Sequence, residues 1–209
     1  MLSFGQIGGV LELRAAANGE RRLTGSFPYN TRAIMSDGGR TGRPEKEEFA
    51  EGAFEYRVND PKAEIHLLAG HRYDHPLASK LAGTLTLKDT AKALMFDAVI
   101  TPEVASTTFA KDVLALLAAN LATGISPGFR IPPERAVPRD EAEEIIEEEE
   151  DAARDMHRAK IRRIKQALLF ELSIVTQPAY EDAQVIMRNR EGAASQTHRV
   201  SAALRRWRY

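Results

Sequence analysis

The sequence predicts a β-rich α+β fold in which a closed or partly open β-barrel is surrounded by helices. Short apolar segments bounded by turn residues recur along most of the chain, which is typical of strands. Two pairs of these segments flank turn signals, at Asn18-Gly19 and at Lys88-Asp89-Thr90. Firm helical spacing of apolar residues occurs in one stretch, residues 106–124. Short strands therefore dominate the predicted architecture.

The first half of the chain predicts two hairpins and a buried strand. GVLELRAAA and RRLTGSFPY flank the first turn, and Asn-Gly is a strong hairpin signal. The stretch EIHLLAGH, residues 64–71, predicts a buried strand that carries His71 at its end. LAGTLTLKDTAKALMFDAVI, residues 81–100, predicts the second hairpin.

The second half predicts a helix and two apolar strands. Ser106 or Thr107 is a candidate N-cap for the helix, and Gly124 is its candidate end. Its apolar positions are Phe109, Val113, Leu116, Leu117 and Leu121. ISPGFRI, residues 125–131, predicts a strand directly after the helix, and ALLFELSIV, residues 167–175, predicts a near-continuous apolar strand.

We divide the chain into an N-terminal extension (1–8), a single domain (9–187) and a basic tail (188–209) that we expect to be flexible. The domain carries a charged insertion at residues 133–166. Within it an acidic run, RDEAEEIIEEEEDAARD, precedes a basic one, MHRAKIRRIKQ. Such charge separation predicts a solvated helix or a partly disordered insertion.

Composition excludes several kinds of chemistry. The 209 residues include no cysteine, so disulfides, thiolate metal sites and a cysteine nucleophile are excluded. The 29 basic and 30 acidic residues are balanced, so we expect no nucleic-acid partner. The longest apolar cluster, VLALLAANLA, is too short to span a bilayer, and the N-terminus has no secretory pattern. We therefore expect a soluble protein that is made inside the cell and has no membrane partner.

Three polar residues stand where the pattern predicts burial: His71, Ser126 and Glu171. Glu171 is the most informative, because both faces of its strand are mostly apolar and it shares one face with Ser173. A buried carboxylate costs several kcal/mol unless a cation or a hydrogen-bond donor pairs with it. Serine, histidine and a carboxylate are the parts of a nucleophile, a general base and an orienting group, which occur on unrelated folds in any chain order.

Five ordered blocks resemble the prohead (capsid maturation) serine proteases of tailed bacteriophages, whose fold is related to that of the herpesvirus assemblins. The blocks cover most of residues 20–186: LTGSFPYN, EEFAEGAFEYRV, LLAGHRYDHPLASKLAGTLTL, GISPGFRI and LFELSIVTQPAYEDAQV. The resemblance implies a herpesvirus-protease-like fold. It also implies that Ser126 is the nucleophile, His71 the general base and Glu171 the orienting residue, with no cofactor and no metal.

The same resemblance implies the biological task. The substrates would be the scaffold protein and the precursor of the major capsid protein, with self-cleavage and self-association. The enzyme would act inside the assembling prohead in the cytoplasm of the host bacterium. His75 and Asp97 remain alternatives for the third catalytic residue, and Asp74 competes with them. Pro127 departs from the family pattern, and we expect a kinked strand that is bonded on one edge.

Three other interpretations remain open on the sequence. His66, His71, Asp74 and His75 fall close together and could hold a metal. A catalytically inactive capsid-assembly or scaffold-binding protein could share the fold. GISPG also satisfies the Gly-x-Ser-x-Gly pattern of α/β-hydrolases, but there a helix follows the serine, whereas here the helix precedes it.

Overall fold

The computed structural model describes residues 3–4, 11–15, 19–39, 42–122, 124–151 and 156–176. Within these ranges the chain forms four helices, α1 (Glu55–Asn59), α2 (Pro102–Ala105), α3 (Thr108–Ala118) and α4 (Arg139–Ala142). It also forms fifteen strands: β1 (Ser3–Phe4), β2 (Leu11–Ala15), β3 (Arg21–Pro28), β4 (Ala33–Ser36), β5 (Glu45–Phe49), β6 (His66–Ala69), β7 (Arg72–Ser79), β8 (Leu85–Asp89), β9 (Ala93–Ile100), β10 (Gly124–Arg130), β11 (Glu143–Glu147), β12 (Glu150–Asp151), β13 (Met156–His157), β14 (Lys160–Ile164) and β15 (Leu168–Val175).

A five-stranded sheet, here called the His71 sheet, has the order β1-β10-β15-β6-β7. Its central strand β15 is the predicted apolar strand 167–175, and it runs antiparallel to β10 and parallel to β6. Leu169, Leu172 and Ile174 of this strand are buried. Strands covered on both faces read as near-continuous apolar runs, which explains why this strand was predictable.

A four-stranded sheet, here called the hairpin sheet, has the order β2-β3-β9-β8. Both predicted hairpins lie in it, because β2 pairs with β3 and β8 pairs with β9, in each case antiparallel. The two hairpins join along β3 and β9, from the pair Arg21 and Ile100 to the pair Pro28 and Ala93. Both hairpin predictions are confirmed.

A second four-stranded sheet, here called the charged sheet, has the order β11-β14-β5-β4. Much of it comes from the insertion for which a solvated helix or partial disorder was expected, and that expectation is wrong. β14 runs parallel to β5, with Arg162 beside Glu47 and Arg163 beside Glu48. Cross-strand pairing of opposite charges lets a highly charged segment form strands, while Ile161 and Ile164, on either side of Arg162 and Arg163, are buried.

The three sheets share one aromatic cluster. Phe27 lies in β3, Phe49 in β5 and Phe129 in β10, and Phe54 is the residue directly before α1. Phe49 lies 5.4 Å from Phe27, 5.0 Å from Phe54 and 4.9 Å from Phe129 between ring centroids. All four rings are fully buried, and aromatic contacts of this kind add to the stability gained by burial.

The β-rich α+β class is confirmed, but the barrel is not. Across the described residues no sheet closes on itself. The three open sheets pack around the shared aromatic cluster and bury their apolar faces there. Closure into a barrel is therefore not required to bury those faces.

The predicted helix 106–124 is present, but it is shorter than expected. It is α3, with Thr107 as the N-cap, whose hydroxyl accepts a hydrogen bond from the Ala110 amide. The predicted end at Gly124 is wrong, because Asn120 adopts a positive φ of 55° that interrupts the helix after Ala118. No helix in the described part of the chain is long and apolar enough to cross a membrane. The basic tail 188–209 lies outside the described residues.

Candidate active site

His71 lies in the tight turn between β6 and β7 of the His71 sheet. Gly70 and His71 both have positive φ, at 62° and 61°, and the latter is unusual for a residue with a side chain. This turn places the imidazole beside β15. The predicted strand that ends near His71 is confirmed, and the unusual backbone explains why the chain reverses at this residue.

The His71 imidazole contacts the carboxylate of Glu171 directly. Nδ1 of His71 and Oε1 of Glu171 are 2.7 Å apart, although the two residues are separated by 100 positions in the chain. The Glu171 side chain is 1% exposed and that of His71 is 21% exposed. The carboxylate therefore has almost no access to water and depends on its protein partners, as the apolar surroundings of Glu171 in the sequence predicted.

Gly128 leaves room for this carboxylate. It lies directly across from Glu171 in the antiparallel pair of β10 and β15. A Cβ atom at position 128 would lie only 2.0 Å from Oε1 and 2.6 Å from Cδ of Glu171. A glycine inside a strand often marks such a close approach, and here it gives a physical reason for the glycine two residues after Ser126.

Ser126 lies in β10, directly across from Ser173 of β15. Residues opposite each other in an antiparallel pair project to the same side of a sheet, so Ser126, Gly128, Glu171 and Ser173 share one face. Ser126 is 4% exposed, and its strand occupies the predicted position after α3. The structure therefore places Ser126 one strand away from Glu171, on the face where Glu171 meets His71.

Ser173 is the residue that the sequence interpretation missed. Its hydroxyl donates to Oε2 of Glu171 at 2.6 Å and accepts from the backbone N–H of His71 at 2.9 Å. The available signal was its position two residues after Glu171, which places both side chains on the same face of a strand.

The alternative third residues have other partners. Both carboxylate oxygens of Asp97 lie at 2.9 and 3.0 Å from Nε of Arg22, in the hairpin sheet. The ring of His75 stacks on that of Phe109, with centroids 4.7 Å apart. Asp74 accepts hydrogen bonds from Arg72. Of the candidate third residues, Glu171 is the one that contacts the His71 ring.

The four candidate metal ligands have other contacts, although Nε2 of His75 lies 3.8 Å from Oδ2 of Asp74. His71 contacts Glu171, His75 contacts Phe109, and His66 lies 6.0 Å from the Tyr73 ring, centroid to centroid. Within the described ranges there is no group of three or more His, Cys, Asp or Glu residues arranged to hold a metal ion.

Pro127 lies between Ser126 and Gly128, opposite Leu172. The β10 strand continues through it, and a bulge follows between Gly128 and Phe129. The described part of β1 pairs with Gly128 and Phe129 rather than with Pro127. A proline has no N–H for a strand ladder, and this position beside the end of the described β1 pairing accommodates it.

A cleft of about 320 Å³ opens beside His71. Its walls are mainly apolar and include Ala69, His75, Phe109, Val113, Leu116 and Ile174. Helix α3 supplies one wall and the ends of β6 and β15 supply the other. A largely apolar cleft with an imidazole at its edge can receive part of a substrate next to the reacting group.

Comparison with protein families gives a match that covers residues 39–198, to the caudovirus prohead serine protease family. The chain belongs to this family. The resemblance noted in the five sequence blocks is therefore confirmed. The matched range includes His71, Ser126, Glu171 and Ser173, whereas the hairpin formed by β2 and β3 precedes it. Comparisons with curated proteins and with solved structures gave no match.

Proposed function

We propose that the protein is a serine endopeptidase in which Ser126 is the nucleophile, His71 the general base and Glu171 the residue that orients His71. Membership of the prohead protease family implies a serine peptidase of capsid maturation. The observation that carries the residue assignment is the 2.7 Å contact between Nδ1 of His71 and the buried carboxylate of Glu171.

That contact supports a role for each nitrogen. A carboxylate accepts a hydrogen bond, so in the proposed tautomer Nδ1 carries the proton and Nε2 has the lone pair that can accept one. Nε2 takes the proton from the Ser126 hydroxyl as its oxygen attacks a peptide carbonyl, and it then donates that proton to the leaving amine. Water hydrolyses the resulting acyl-enzyme with the same base. Glu171 stabilises the imidazolium that forms at each step.

The proposed substrates are the scaffold protein and the precursor of the major capsid protein, with cleavage of the enzyme itself. We place the reaction inside the assembling prohead in the host cytoplasm, with self-association of the chain. Residues flanking the scissile bond would lie in the cleft beside His71. A herpesvirus-protease-like fold stays part of this proposal.

The test is co-expression of the protein with the capsid precursor and scaffold, comparing wild type with Ser126→Ala and His71→Ala on a gel. We expect processing by the wild type and its loss in both variants. Ser79→Ala is a control, because Ser79 is a strand serine of the same sheet, and its hydroxyl bonds the carboxylate of Glu64 at 3.0 Å. We expect Ser79→Ala to process normally.

Processing by Ser126→Ala would overturn the assignment of the nucleophile. A wild-type protein that binds the scaffold or capsid precursor but cleaves neither would instead support the inactive assembly protein. Mass spectrometry of the wild type after labelling with a fluorophosphonate probe gives an independent reading, with modification expected at Ser126.

A further inference from the structure

We propose that Ser173 is a positioning residue that acts on both partners of the His71–Glu171 pair. This inference rests on the proposed function and adds to it a fourth residue, which does not touch the substrate. Ser173 is fully buried at the centre of the His71 sheet. Its hydroxyl contacts Glu171 on one side and His71 on the other.

The first contact fixes the carboxylate. Oε1 of Glu171 faces Nδ1 of His71 at 2.7 Å, and Oε2 accepts the Ser173 hydroxyl at 2.6 Å. With both oxygens held, the carboxylate cannot rotate about its terminal bond without losing a charge-assisted hydrogen bond. The imidazole is therefore held in the orientation that leaves Nε2 available.

The second contact fixes the backbone of the general base. His71 has a φ of 61°, a conformation that costs a residue with a side chain about 1 kcal/mol or more. Such conformations persist where the surroundings over-determine them. The His71 N–H donates to the Ser173 hydroxyl at 2.9 Å, so the same hydroxyl that orients the carboxylate also secures the turn that carries the imidazole.

The hydroxyl suits this position better than other small groups. It has one hydrogen to donate and lone pairs to accept, and the two contacts use one of each kind. Alanine would leave both a buried N–H and a buried carboxylate oxygen without this partner. Ser173 also lies directly across from Ser126, so the strand that holds the pair is aligned with the strand of the nucleophile.

The test measures the rate at which a fluorophosphonate probe labels full-length wild type, Ser173→Ala and Ser79→Ala between pH 5 and pH 9. Active-site titration with the same probe gives the fraction of active protein in each sample, and each labelling rate is divided by that fraction. Loss of one hydrogen bond to a charged group predicts labelling about 10- to 100-fold slower in Ser173→Ala. Ser79→Ala should stay within about twofold of wild type, because its hydroxyl bonds a carboxylate outside the site.

Two further readouts separate positioning from a merely structural role. Ser173→Ala removes a hydrogen bond from each partner of the pair that handles the proton in the proposed mechanism. The pH profile of the labelling rate should therefore differ between Ser173→Ala and wild type, whereas that of Ser79→Ala should not. In a Glu171→Gln background, removal of the Ser173 hydroxyl should reduce the rate by a smaller factor than in wild type, because the contact with the carboxylate is gone and only the contact with the His71 N–H remains.

An unchanged rate and pH profile in Ser173→Ala would overturn the inference, and so would a full additive loss in the Glu171→Gln background. Failure of the proposed function would give a different result. In that case the probe would not label the wild type, or it would label Ser126→Ala as fast as the wild type.

Discussion

The charged sheet and the His71 sheet both bury carboxylates, but they pair them differently. In the charged sheet the buried acids are Glu47, Glu48 and Glu143, and Glu148 is buried directly after β11. Their partners are lysine and arginine: Lys46 bonds Glu148 at 2.9 Å, Arg163 bonds Glu48 at 2.7 Å, and Arg162 bonds both Glu47 and Glu143. In the His71 sheet Glu171 is paired with a histidine and a serine.

The difference lies in whether the partner can change its charge. Arginine and lysine stay protonated at neutral pH, so their pairs hold the charged sheet together and exchange no proton. Histidine gains and loses a proton near neutral pH, so a pair of histidine and carboxylate can move a proton during a reaction. Similar burial of an acid therefore serves stability in the charged sheet and, in the proposed mechanism, proton transfer in the His71 sheet.

Among the substitutions that test this difference between the two sheets, Glu171→Gln should have the largest effect. The substitution keeps the shape of the side chain but no longer holds the Nδ1 proton of His71 with a charge, so the rate of probe labelling should fall about 10³- to 10⁴-fold. Thermal unfolding should show that the variant still folds. A rate within threefold of wild type, together with a large loss in His75→Ala, would move the orienting role to His75.

Arg162→Met should have the opposite effect to Glu171→Gln, with a loss of stability and an almost unchanged labelling rate. It removes a partner of two buried acids, Glu47 and Glu143, the second of which keeps Arg139, and should lower the free energy of unfolding by about 3 kcal/mol. Denaturant titration measures the loss, and the labelling rate of the folded fraction should stay within about twofold of wild type. A large loss of labelling in the folded fraction would show that the two sheets are not independent.

Gly128→Ala tests the space that the site reserves for its carboxylate. The new methyl group would collide with Glu171, which predicts a loss of stability of about 2 kcal/mol and labelling about 100-fold slower. The double variant Gly128→Ala/Glu171→Ala removes the collision, so it should recover the stability but not the labelling rate. No recovery of stability would show that the cost arises elsewhere.

The charged sheet should also show a pH dependence through Glu47. Burial raises the pKa of Glu47, and Arg162 opposes the rise without cancelling it. A carboxyl with a raised pKa in the folded state contributes stability below its unfolded pKa and loses that contribution as the pH rises through the folded value. The stability of Glu47→Gln relative to wild type should therefore improve from pH 4 to pH 8. A constant or declining difference in denaturant titrations would contradict this.

The smallest effect is expected from Asp97→Asn, which removes the charge of a remaining candidate third residue. Asp97 pairs with Arg22, whose side chain is 59% exposed, and exposed ion pairs contribute about 1 kcal/mol or less. Labelling should stay within about twofold of wild type. A loss comparable to that of Glu171→Gln would place Asp97 in the site.

Local patterns predicted most of the elements that build the site. The Asn18-Gly19 turn, the spacing of α3 and the apolar run of β15 each depend on neighbours within a few residues, so the sequence carries their signal. The prediction for the charged insertion was wrong because its strand β14 is stabilised by pairing with β5, which lies more than a hundred positions earlier in the chain. The charge separation within the segment, taken alone, also suits a solvated helix.

The sequence by itself determined the β-rich class, the family and the three residues proposed for catalysis, because these depend on local periodicity and on motifs in order. Only the tertiary structure decided which carboxylate meets His71, why position 128 is a glycine, and that Ser173 links the pair. These are contacts between strands that are far apart in the chain, and no local pattern encodes the distance between them. A closed barrel could not be predicted for the same reason, since closure of a sheet depends on how its edge strands meet, and no sheet closes within the described residues.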